Sequence, residues 1–273
     1  MTMNEHKRIF LIVLGLFVGG VTHAQKKEYT FSKQPIWSDE FDQDGLVDST
    51  KWSYNTGGHG WGNHELQHYT KANLKNVRVE KGILSIEAHR EPFEKSEYTS
   101  GRIVTKGKFD FTYGRVEVRA KLPQGRGTWP AIWMLASQNS FGTNFWPDQG
   151  EIDIMEHVGF NPGVIHGTVH TKSFNHGIGT QKGNTISIRD FASAFHVYRL
   201  DWTPDYIQMY VDGLLYFQFS NSGKSWQEWP FSKPEHLILN LAVGGDWGGQ
   251  KGVDPTIFPA KMEVDYIRVY GML

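Results

Sequence analysis

Gly150-Glu151-Ile152-Asp153-Ile154-Met155-Glu156-His157 decides how this chain is read. On a β-strand, alternate side chains point to opposite faces, so Ile152 and Ile154 share one face while Glu151 and Asp153 share the other. The isoleucines claim a core, and the two carboxylates then project toward a cleft or solvent. Glu156 has the wrong parity for that face unless one extra residue is inserted. A β-bulge supplies one, and bulges gather beside active sites. Met155 is the expected extra residue, with Ile154 as the alternative. Three acids then line one face in sequence.

Period-two alternation continues on both sides of this strand. Leu84, Ile86 and Ala88 alternate with polar residues, as do Val116, Val118, Ala120 and Leu122, and Ile207, Met209 and Val211. Asp212-Gly213 and Lys81-Gly82 read as hairpin turns, since both positions of such a turn need positive φ. No segment holds a helical period for three turns, and short helices are expected only near Ile188 to Ala194 and Ser222 to Gln227. Many short strands with regular turn signals indicate an all-β sandwich or barrel.

The composition narrows the classes of function. With 28 Lys+Arg against 29 Asp+Glu, the chain lacks the basic excess that binding nucleic acid requires. With no Cys, disulfides, thiolate metal sites and a cysteine nucleophile are excluded. The N-terminus has a basic start at Lys7 and Arg8, an apolar run over Ile9 to Val18, and small residues ending at Ala24. It reads as a signal peptide over residues 1–24. Residues 25–273 then form a single exported domain, periplasmic or secreted, without a lipoprotein anchor and not membrane-bound after cleavage.

Close carboxylates cannot all ionise cheaply, so their pKa values separate. One group stays ionised and another keeps its proton, which is the division of labour glycoside hydrolysis needs. A hard-cation site and a solvated acidic face are the competing readings of the same strand. Among the 10 tryptophans, Trp129 and Trp133 share a parity with Ala131 between them. They read as a flat platform for pyranose rings, or else as part of a Trp-rich core strand. His166, Thr168 and His170 share a face. Residues four apart on a strand are too far separated to chelate one metal easily, and His170 reads as a hydrogen-bonding residue near sugar or acids. Asn63 and Glu65 lie in a Gly-rich loop suited to a subsite, and Trp247 sits in a second one. Trp37, Trp52 and Trp202 are assigned to packing.

Glu-Ile-Asp-Ile-Met-Glu-His resembles the catalytic signature of glycoside hydrolase family 16, in its bulged, laminarinase-like branch. The resemblance spans nearly the whole chain after residue 24. It includes Trp61-Gly62-Asn63-His64-Glu65-Leu66-Gln67, Ser100-Gly101-Arg102, Gly127 to Leu135, His166-Gly167-Thr168-Val169-His170, Leu239 to Gly245 and Val264 to Tyr270. It implies a β-jelly-roll sandwich of two antiparallel sheets with a concave substrate cleft. The implied activity is retaining endo-β-1,3-glucanase action on laminarin-type β-glucan, by a monomer. Glu151 would be nucleophile, Glu156 general acid/base and Asp153 the group tuning Glu151. Trp129 and Trp133 would face the cleft, and Arg102 would bind substrate, its alternative being a surface ion pair. No cofactor is required for catalysis. A structural calcium ion is implied at Glu40, the Gly82 carbonyl and Asp265, the alternative being a turn glycine and two surface acids. Action on mixed-linkage glucan or on agar- or carrageenan-type galactan, transglycosylation, and non-catalytic glucan binding are the other readings this scaffold allows.

Overall fold

The structure, a computed structural model, describes residues 27–273; the segment read as a signal peptide lies outside them. Among the described residues, seventeen strands run in chain order: β1 (Trp37–Asp39), β2 (Ser53–Tyr54), β3 (Gln67–Tyr69), β4 (Val77–Glu80), β5 (Ile83–Ala88), β6 (Tyr98–Ser100), β7 (Arg102–Val104), β8 (Gly114–Lys121), β9 (Thr128–Ala136), β10 (Glu151–His157), β11 (Val164–His170), β12 (Lys182–Ser187), β13 (His196–Trp202), β14 (Tyr206–Val211), β15 (Leu214–Ser220), β16 (Glu235–Val243) and β17 (Ala260–Tyr270).

They form two large antiparallel sheets. The first runs β15-β14-β13-β8-β17-β5-β4, with β1 also paired to β17; the second runs β12-β11-β10-β9-β16-β7-β2. β3 and β6 make a small parallel pair. The fold is the jelly-roll sandwich the alternation and the resemblance imply.

The alternation explains the core. Val116, Val118, Ala120, Leu84, Ile86, Ile207 and Met209 come from the first sheet, and Ile132, Met134, Ile152, Leu237 and Leu239 from the second; all are fully buried. Both expected hairpins form, with Lys81 and Gly82 at φ 54° and 77°, and Asp212 and Gly213 at φ 49° and 82°. One expectation is corrected. The segments near Ile188 to Ala194 and Ser222 to Gln227 are not helices. Each closes a single turn, with Ser193 and Ala194 donating to the Asp190 carbonyl, and Glu228 and Trp229 to that of Ser225. One turn of helix fixes several residues for few bonds, and nothing here extends it. The expected bulge forms at Ile154 and Met155, which together face the single residue between Thr168 and His166 on β11. Asp153 pairs with Trp133 and Met155 with Ile132, so the register skips Ile154. Ile154 and Met155 are both fully buried, and two apolar residues together left parity unable to choose between them.

Candidate active site

β10 lies between β9 and β11, and the register brings the site together. Glu151 is opposite His170, Asp153 is opposite Thr168 and Trp133, and Glu156 is opposite His166 and Ala131. The bulge turns Glu156 onto the face of the other two acids, as expected. Asp153 is 2% exposed. One donor atom each from Glu151, Asp153 and His170 lies within 4.8 Å of the others. His170 Nε2 stands 3.3 Å from Asp153 Oδ2 and 3.9 Å from Glu151 Oε1.

Burial raises all three carboxyl pKa values. Glu151 and Asp153 stand well above the ordinary range, because burial is reinforced by the like charges beside them. Glu156 is raised by burial and partly restrained by a hydrogen bond from Trp129 Nε1 to Glu156 Oε1, 3.0 Å long. Such a cluster titrates as a unit, so its protons belong to the set of carboxyls rather than to any one of them.

The two ends of the acidic strand differ. At the Glu156 end, Trp247 stands edge-on to Trp129, with ring centroids 5.5 Å apart, and edge-on to His166 at 4.8 Å. At the Glu151 end, His170 meets His176 edge-on at 5.1 Å, and Trp146 lies over His176 at 4.7 Å. Trp146 and His176 carry no alternation signal, because both sit outside the strands.

On the far side of β9, Trp133 Nε1 donates to Asn240 Oδ1 at 2.7 Å. The Arg102 guanidinium lies between Trp61 and Trp133, 4.7 Å from each ring centre, and its Nε donates to Asn55 Oδ1. Arg102 is thus at the site, but packed as a cationic spacer between two indoles; it is not in a surface ion pair. Asn63 Nδ2 donates to Glu65 Oε1, while Glu65 Oε2 accepts from Gln67 Nε2 at 2.6 Å and from the Tyr69 hydroxyl at 3.3 Å. Burial raises the Glu65 pKa, and these donors together with Arg102 oppose the rise. The Asn63 carbonyl accepts from the Asp246 amide at 2.7 Å, which ties the Asn63 loop to the Trp247 loop. All ten residues expected at catalysis or substrate thus lie on or around one sheet face. Tyr69, Asn240 and Asn55 join them unanticipated as site residues, beside Trp61 of the Gly-rich loop, a candidate from the sequence. Trp52 and Trp202 are buried in the core as expected.

The expected cation site does not fit as its side chains stand. Glu40 holds Arg268 through both carboxylate oxygens at 2.9 and 2.7 Å, and Asp265 is paired with Arg119. A calcium ion using these carboxylates would have to displace two guanidinium groups, and no step below runs through one.

A carboxylate strand flanked by indoles and an imidazole, on the face of a two-sheet sandwich, defines a glycoside-cleaving enzyme. The chain belongs to the glycosyl hydrolases of family 16: the profile described as "Glycosyl hydrolases family 16" matches residues 63–268. It is 59% identical over 240 residues to a "Beta-glucanase" of Rhodothermus marinus, covering 86% of this chain and 84% of that protein. It is 40% identical over 268 residues to a "Glucan endo-1,3-beta-glucosidase A1" of Niallia circulans, covering 86% of this chain and 37% of that longer protein. The crystal structure of the laminarinase from Rhodothermus marinus superposes with a TM-score of 0.87 at 56% identity, over 90% of this chain and 100% of that one.

Proposed function

We propose that this protein is a retaining endo-β-1,3-glucanase acting on laminarin-type glucans. The observation that carries the chemistry is the bulge in β10, which sets Glu151, Asp153 and Glu156 on one face. The similarity to a glucan endo-1,3-beta-glucosidase of Niallia circulans and to the laminarinase of Rhodothermus marinus supports the linkage. Glu151 attacks the anomeric carbon as the leaving oxygen takes the Glu156 proton, giving a covalent glycosyl-enzyme. Glu156 then deprotonates a water molecule, which displaces Glu151. Asp153 and His170 adjust the charge of Glu151. Trp129 and Trp133 cover apolar sugar faces, with Trp247 beside Trp129 and the Asn63–Glu65 loop closing one wall.

The chain is further read as an exported monomer whose leader is residues 1–24. A panel of laminarin, mixed-linkage lichenan and agarose tests the substrate assignment. Rapid release of oligosaccharides from laminarin is expected, with agarose untouched. Cleavage of agarose in preference to both glucans would replace it with the galactan reading.

A further inference from the structure

The proposed cleavage uses Trp133 as a sugar platform, and the structure shows what holds that ring. Its indole N–H donates to Asn240 Oδ1 at 2.7 Å. Asn240 Nδ2 donates to the Tyr69 hydroxyl at 3.0 Å, and that hydroxyl donates to Glu65 Oε2 at 3.3 Å. Glu65 Oε2 also accepts from Gln67 Nε2, and Gln67 Oε1 accepts from the Val243 amide at 2.7 Å. The chain therefore starts on β16 at Val243 and returns to β16 at Asn240, with Glu65 as its acceptor hub. Tyr69 and Gln67 are fully buried, and Asn240 is 6% exposed.

Each member has both roles it needs. The Tyr69 hydroxyl accepts once and donates once. The Asn240 amide uses its oxygen for the indole and its nitrogen for the phenol, so its orientation is fixed by its partners. Arg102 presses on the face of Trp133 from the side of Trp61. The ring is thus held at its edge by the hydrogen-bond chain and at its face by the guanidinium. A platform must present a ring in one plane, and an indole without an N–H partner is held by packing alone.

We propose that Tyr69 and Asn240 are positioning residues, which fix the plane of Trp133 against the substrate and touch no substrate themselves. This inference rests on the reading of Trp133 as a sugar platform. It is tested by a double-mutant cycle on kcat/KM, run on whichever glycan of the panel the wild-type enzyme cleaves best. A wrong substrate assignment then leaves the test intact.

Tyr69→Phe removes the linking hydroxyl, and Trp133→Phe removes the indole N–H at the other end. Tyr69→Phe is expected to lower kcat/KM about tenfold in the wild-type background and less than about twofold in the Trp133→Phe background, as small misplacements of a positioned group do. If Tyr69→Phe does not fold, Asn240→Asp enters the same cycle. It keeps an acceptor for the indole but loses the donor to Tyr69, and it should retain more activity than Asn240→Leu. Equal losses in both Trp133 backgrounds, or no loss in the wild-type background, would overturn the proposal.

Discussion

The outer face of the eight-stranded sheet and the cleft face of the seven-stranded sheet are made of similar residue types. Both alternate with a buried face, and both carry acids, arginines and aromatic rings. On the outer face the charges are neutralised in pairs. Arg115 holds Asp201 through two hydrogen bonds of 2.7 and 2.9 Å, Arg268 holds Glu40 in the same way, and Lys121 pairs with Glu263. Arg199 and Arg268 also cover the rings of Tyr210 and Tyr266. On the cleft face three acids crowd together around one imidazole, His170 Nε2 lying 3.3 Å from Asp153 Oδ2, and all three carboxyl pKa values are raised by burial. Parity therefore finds the faces of a sheet, and charge balance separates a site from a surface. The outer face minimises its own electrostatic energy, whereas the cleft face holds like charges close at a cost that catalysis uses.

The largest effect should come from breaking the cleft face. Glu151→Gln and Glu156→Gln should each lower kcat on laminarin by about three orders of magnitude or more, with the melting temperature close to that of the wild type. Substantial activity in either variant, measured as released reducing ends, would remove these residues from the roles proposed for them.

A smaller change sharpens the comparison. Trp129→Phe keeps a ring but removes the hydrogen bond that lowers the Glu156 pKa. That pKa should therefore rise. Because Glu156 must be protonated to act as the acid, the alkaline limb of the kcat/KM–pH profile should move to higher pH. A limb that stays in place or moves down would mean that the indole does not tune the acid.

The smallest effect is expected on the outer face. Arg268→Ala breaks a half-exposed ion pair of a kind worth about 0–1 kcal/mol. It should leave kcat/KM unchanged and lower the melting temperature by no more than about 4 °C. A loss of activity comparable to that of a cleft variant would erase the distinction between the two faces.

Much of this was legible in the sequence, for identifiable reasons. The strands of the first sheet alternate cleanly because one side meets the core and the other meets solvent. The acidic strand betrayed its bulge because Glu156 broke the parity of Glu151 and Asp153. What remained hidden lay where alternation fails. β16 is buried along its whole length, so nothing in Leu-Ile-Leu-Asn-Leu-Ala-Val singles out Asn240 as the residue that turns toward Trp133. Tyr69 sits on a three-residue strand in a parallel pair, too short to show a period. Arg102 could be placed in the site, but its packing between Trp61 and Trp133 depends on two segments distant in sequence. The Glu40 and Asp265 carboxylates read as cation ligands until register set Arg268 and Arg119 beside them.

If Glu151 and Glu156 work as a nucleophile and an acid/base through a covalent intermediate, the product keeps the anomeric configuration of the substrate. Proton NMR of laminarin during the first minutes of cleavage tests it most directly. New reducing ends are expected first as the β-anomer, equilibrating only later by mutarotation. Initial appearance of the α-anomer would mean direct displacement by water, and would contradict the assignment of Glu151 as nucleophile.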